Sequence, residues 1–114
     1  MDRLIYIGSP YSHPVDEVRH NNFRLVSDLA AKLCSEGKVA FSPITYGHTL
    51  LDFKEMPSDW KFWQNFCLSF LVHADELLVY QMPGWDQSKG LADEIEFAQE
   101  NNITVTYLPY EGVL

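Results

Sequence analysis

The sequence predicts an α/β fold, a parallel sheet of four to five strands with helices on both faces. Three observations predict it. Short runs rich in β-branched and aromatic residues alternate with segments of helical period. The first run, Leu4-Ile5-Tyr6-Ile7, is apolar at every position, as a strand covered on both faces must be. Each run is separated from the next by a helical pattern or a long connection, which implies right-handed crossovers. The chain carries no long Pro/Gly/Ser-rich linker, internal repeat or low-complexity tract, so residues 1–114 read as one domain.

The elements follow in order. Leu4 to Ile7, closed by Gly8-Ser9-Pro10, reads as a central strand followed by a tight loop. From about Val15 to Glu36, Val18, Asn22, Val26, Leu29, Ala30 and Leu33 recur at helical spacing, and Gly37 supplies the stop. Lys38 to Ser42 reads as the second strand, ended by Pro43, and residues 43–59 are expected to form an irregular loop. Trp60, Trp63, Cys67, Phe70, Leu71 and Ala74 mark a second long helix, and Glu76 to Tyr80 the third strand. A helix starting near Ser88 and a fourth strand, Thr104 to Leu108, complete the pattern. Ligands of such sheets bind at the carboxyl ends of the strands. The loops there are Gly8 to Pro14, Pro43 to Asp59 and Gln81 to Ser88.

Composition narrows the function classes. A hydrophobic fraction of 46% and an aromatic fraction of 14% support a globular core. The longest apolar runs fall far short of the roughly 20 residues that span a bilayer, so no membrane partner is expected. A net charge of -8, from 8 basic and 16 acidic residues, disfavours a nucleic-acid polymer. A single nucleotide stays open, since a helix N-terminus holds a phosphate through backbone N–H groups. Cys34 and Cys67 have no ligand spacing around them and read as reduced thiols of a cytoplasmic protein, with neither disulfide nor zinc site. His48 and His73 are lone histidines without metal spacing, for which a structural or solvent role is expected. Gly-Lys-Ser/Thr closing a glycine-rich loop, and GxGxxG after the first strand, are both missing, which argues against a P-loop enzyme and a dinucleotide fold.

Glu94 is the residue whose position needs a reason. Leu91, Ile95 and Ala98 form the apolar stripe of the last helix, and Glu94 sits inside it. A glutamate there faces the sheet, whereas Asp93, Glu96 and Glu100 read as a solvated face. The bland alternative is a partly exposed acid stabilised by the helix dipole.

Three segments carry a family resemblance: Tyr6-Ile7-Gly8-Ser9-Pro10-Tyr11, the stretch Trp60 to Asp75, and Ser88-x-Gly90-x-x-x-Glu94-x-x-x-Ala98. Together they resemble the nucleoside 2-deoxyribosyltransferase superfamily, which includes 2′-deoxynucleoside 5′-phosphate N-hydrolases, with loops like SPYSHP, FSPI and PGW that suit a compact branch of it. The resemblance implies a three-layer Rossmann-like or flavodoxin-like sheet and a glutamate that attacks the anomeric carbon of a deoxyribosyl group. Glu94 falls on that position, Tyr6 on the first-strand tyrosine beside it, and Ser88 and Gly90 on the loop holding the sugar's 5′ end or phosphate. Where the family usually has a second carboxylate, this chain has Cys67. Asp86, Asp59 and Asp52 are the loop acids available to replace it.

The expected substrate-binding set is Gly8, Ser9, Pro10, Tyr11, Ser12 and His13 from the first loop, Pro43 from the second, Trp85, Ser88 and Gly90 from the third, and Cys67. Each has an ordinary alternative: Ser88 as N-cap, Tyr6 as a buried strand residue, His13 and Arg19 as solvated groups, Cys67 as an inert thiol. Trp60, Trp63 and Trp85 read first as packing residues, with Trp85 placed to stack on a base. The leading expectation is cleavage or transfer at the N-glycosidic bond of a 2′-deoxynucleoside or its 5′-monophosphate, without metal or organic cofactor. A non-catalytic nucleotide-binding or sensing module is the alternative, with activity lost through Cys67. Four strands make a small sheet, so a homodimer or larger homo-oligomer is expected.

Overall fold

A computed structural model describes residues 2–111. Among them are four strands, all parallel, in the order β2-β1-β3-β4. They are β1 (Leu4–Gly8), β2 (Val39–Phe41), β3 (Glu76–Gln81) and β4 (Thr104–Pro109). Four α-helices connect or precede them: α1 (Asp16–Ser35), α2 (Pro43–Leu50), α3 (Trp60–Leu71) and α4 (Lys89–Glu100), with a 3-10 turn at Trp85–Gln87. The fold is therefore the α/β sandwich that the alternation of periods predicts, with four strands.

Alternation along β1 sorts the core into two layers. Tyr6 points to one face, where it packs with Cys67 and Leu71 of α3 and with Leu91 and Ala98 of α4. Ile7 points to the other and meets Val26, Leu29, Ala30 and Leu33 of α1. Register follows: Tyr6 is level with Phe41 on one side and Leu77 on the other. The chain leaves β1 toward β2 over one face, then crosses back to β3 over the opposite face. That reversal makes the gap between the carboxyl ends of β1 and β3 the topological switch point, where sheets of this kind open a crevice.

Two sequence expectations change. Residues 43–50 are helical, so the irregular loop is confined to 51–59. Ser42 accepts the Thr45 N–H at 3.1 Å and Pro43 occupies the first turn, both helix-start signals, while the interior Gly47 hides the helix from a propensity reading. The α1 stripe is buried only from Val26 onward, with Val18 exposed and Asn22 half-buried. Gly37 stops α1 as expected, at φ +85°.

Candidate active site

A cleft of about 270 Å³ opens at the switch point. The loop after β1 lines it with Ser9, Tyr11 and Ser12; α2 contributes Pro43, Gly47 and His48. Asp59, Trp60, Trp63 and Cys67 come from the start and one face of α3, and Ser88, Lys89, Gly90 and Glu94 from α4.

Glu94 is 4% exposed and still borders the cleft. The Tyr6 hydroxyl donates a hydrogen bond to Oε2. Oε1 lies beside Gly8, 3.7 Å from where a Cβ at that residue would stand, so the missing side chain keeps this oxygen unobstructed. Burial pushes the Glu94 carboxyl up to about 8; the Tyr6 bond opposes this and the Asp93 charge adds to it. At neutral pH the group is mostly protonated, and it becomes a carboxylate as the pH passes 8. Burial, then the Glu94 charge, raises Tyr6 well above its ordinary value, so its hydroxyl stays a donor. Burial and the Glu94 charge push Cys67 up to about 12, leaving a neutral thiol.

Helix α4 begins at the cleft because Ser88 caps it: its Oγ accepts the Leu91 N–H at 3.2 Å. The earlier N–H groups of that turn have no partner inside the helix. The indole of Trp60 lies against Gly90, where an added Cβ would stand 2.9 Å from Cε3. Its Nε1 donates to Asp93 at 2.8 Å, and Lys89 bonds the same carboxylate at 2.7 Å. Asp93 is thus half-buried and engaged, not part of a solvated face, and these two donors hold its carboxyl below the usual range. Trp63 is fixed in the same manner, its Nε1 donating to the Pro57 carbonyl at 2.9 Å and its ring facing Gly47.

At the other end of the cleft, Tyr11 and His48 Nδ1 share a hydrogen bond of 2.7 Å. The His48 ring stacks on Phe23 with centroids 4.2 Å apart, and its Nε2 lies 3.4 Å from His20 Nδ1. Burial, then the neighbouring His20, lowers the His48 pKa and favours the neutral ring. Ser9 is 5% exposed, and its Oγ is the one buried side-chain polar atom among the described residues without a hydrogen-bond partner.

Residues 3–109 match Domain of unknown function (DUF1937). The chain belongs to the DUF1937 family. No curated protein matches it. Of the residues expected around a substrate in this DUF1937 chain, Ser9, Tyr11, Ser12, Pro43, Cys67, Ser88, Gly90 and Glu94 border one cleft. Tyr6 and Gly8 stand behind Glu94. Pro10 is buried outside the lining. His13 is exposed and serves the entry to α1, its Nδ1 accepting the Val15 N–H at 3.0 Å and its carbonyl bonded by Arg19. Trp85 is not on the cleft; its ring meets Tyr107 edge-on at 6.0 Å, drawn there by the 3-10 turn it begins. Trp60, Trp63 and His48 do line the cleft, where the sequence suggested packing or solvent. For the tryptophans a signal existed: positions 60, 63 and 67 share one helix face, and its upper part walls the cleft. Of the three loop acids, Asp59 alone borders the cleft. Among the described residues no group of three or more His, Cys, Asp or Glu is placed to hold a metal ion.

Proposed function

We propose that this protein cleaves or transfers the N-glycosidic bond of a 2′-deoxynucleoside or its 5′-monophosphate, with Glu94 as nucleophile. One observation carries the reading: a buried glutamate, held by Tyr6, faces a cleft at the switch point of the sheet. Its resemblance to the catalytic glutamate of the nucleoside 2-deoxyribosyltransferase superfamily supports the same role. In the ionised form a Glu94 oxygen attacks C1′ and forms a glycosyl ester, while the N-glycosidic bond breaks and its electron pair leaves with the base, which takes a proton from solvent. Water or a second base then attacks C1′, loses its proton, and releases the glutamate. The Tyr6 hydrogen bond stabilises the carboxylate both before attack and as it leaves.

Incubation of the purified protein with 2′-deoxynucleosides and their 5′-monophosphates, followed by chromatography, is expected to show free base, reduced roughly a thousandfold or more in Glu94→Gln. Base release unchanged by that substitution removes Glu94 from the role. A binding module is the second reading, and Cys67 favours it. The thiol beside Tyr6 and Glu94 is neutral and offers no second carboxylate. This reading predicts thermal stabilisation by a nucleoside without base release, and gain of turnover in Cys67→Asp.

The protein is further proposed to act in the cytoplasm as a homo-oligomer. Cys34 and Cys67 are free thiols, and Tyr46, Phe62 and Phe70 are exposed, Tyr46 and Phe70 beside Phe41 of β2. Among the described residues no helix is long and apolar enough to cross a membrane. Sedimentation at micromolar concentration tests the association.

A further inference from the structure

Two cations beside the cleft, Lys89 and Arg19, are already engaged. The Lys89 ammonium bonds Asp93 at 2.7 Å, and its side chain is largely in solvent. Arg19, near Tyr11 and His48, is bonded to the Asp16 carboxylate and the His13 carbonyl. His48 shares its nitrogens with Tyr11 and His20, and its burial favours the uncharged ring. Against these stand two acids on the cleft itself, Asp59 and Glu94. Asp59 begins α3 but makes no side-chain cap bond, so that helix does not consume its carboxylate.

The first turn of α4 is the remaining feature that attracts anions. Ser88 has already capped the Leu91 N–H, and the Trp60 indole packs on the Cα side of Gly90, so an apolar ring flanks the N–H groups that remain. A phosphate near Glu94 would also raise the carboxyl further, suppressing the ionised form that attacks. Ser9, which lines the cleft, carries a buried hydroxyl that has no hydrogen-bond partner.

We infer that the cleft selects an uncharged 2′-deoxynucleoside over its 5′-phosphate, with Ser9 Oγ as the buried hydrogen-bond partner of that ligand. The inference rests on the glycosidic reading and decides between its two substrate classes. A dianion in this cleft would face Asp59, and Lys89, the one Lys or Arg bordering the cleft among the described residues, is already paired with Asp93, whereas a nucleoside meets aromatic walls. Desolvating a phosphate under those terms is costly, and pairing a hydroxyl with Ser9 removes an unsatisfied group.

Calorimetric titration of Glu94→Gln with thymidine and thymidine 5′-monophosphate, and with 2′-deoxyadenosine and its 5′-monophosphate, tests this. The ratio of kcat/KM on the wild type reads the same preference without relying on the variant. The nucleoside of at least one pair is expected to bind about tenfold tighter or more than its phosphate. Asp59→Asn should narrow that ratio, and Ser9→Ala should weaken the nucleoside. Equal or tighter binding of the phosphate overturns the inference and leaves the glycosidic reading standing, as does a ratio untouched by Asp59→Asn. Failure of all four ligands to bind overturns both.

Discussion

At Glu94 two demands oppose each other. Burial keeps the proton on, and attack on C1′ requires it off; the Tyr6 hydroxyl is the group that moves the balance toward the anion. Activity carried by the ionised form should therefore rise with pH through about 8. Tyr6→Phe removes a hydrogen bond that lowers the Glu94 pKa, so the rising limb shifts to higher pH while the ring still fills its place in the core. A pH profile of kcat/KM for both proteins checks this, and an unshifted limb separates Tyr6 from the proton chemistry. Glu94 was legible in the sequence because a charged residue inside an apolar stripe has few innocent explanations. Ser9 was legible as one of the first loop's expected binding residues, but its lack of a partner was not, since that is a property of everything packed around it.

Two tryptophans of α3 rest on glycines of two other helices, and that is how the cleft walls are set. A methyl group at Gly90 would stand 2.9 Å from Trp60 Cε3 and 3.0 Å from Cδ2, whereas one at Gly47 meets Trp63 at 3.2 Å. Alanine improves intrinsic helix propensity by about 1 kcal/mol, but overpacking of a fixed ring costs about 1–3 kcal/mol. Gly90→Ala is thus expected to lose stability, and to lose more than Gly47→Ala, with Trp60 pushed away from Asp93. Thermal unfolding ranks the two, and Trp60 fluorescence in a Trp63→Phe, Trp85→Phe background reports the displacement. Helices α1, α3 and α4 were readable from their stripes and stops. Helix α2 was not: a proline at one end and a glycine inside make PITYGHTL look like a loop, although Ser42 supplies an ordinary cap. The shared helix face of Trp60, Trp63 and Cys67 was a signal for the tryptophans, whereas the place of His48 at the cleft was hidden, because it is set by Tyr11, far away in the chain.

Over the whole molecule, the buried acid couples folding to pH. Below pH 4.5 folded and unfolded chains both hold the Glu94 proton; between 4.5 and about 8 the folded chain alone retains it, so stability from this group falls as pH rises, then levels off. The slope is about 1.4 kcal/mol per pH unit at most. Glu36 and Asp93, whose pKa values are lowered by Lys32 and Lys89 in turn, act in the reverse direction and lose their contribution as pH falls below the usual carboxylate range. Subtracting the denaturation curves of Glu94→Gln from those of the wild type isolates the first effect. The difference should grow in favour of the variant from pH 5 to 8 and then stop growing, and a flat difference means the acid is not buried in solution. The architecture itself was the most legible level of all, since strand runs and helical stripes depend on local period alone.

Position 8 joins the interior to the chemistry. A Cβ placed there would stand 2.9 Å from methyl groups of Leu77 and Leu91, which would have to shift, and anything larger would extend toward a pocket that Glu94 already borders. A library selected only for soluble expression and one selected for turnover should consequently agree on glycine at that site. They should part company at residue 94, where glutamine survives the first screen and vanishes from the second. Comparing the two survivors' lists would distinguish the protein's framework from its working parts without any knowledge of its substrate.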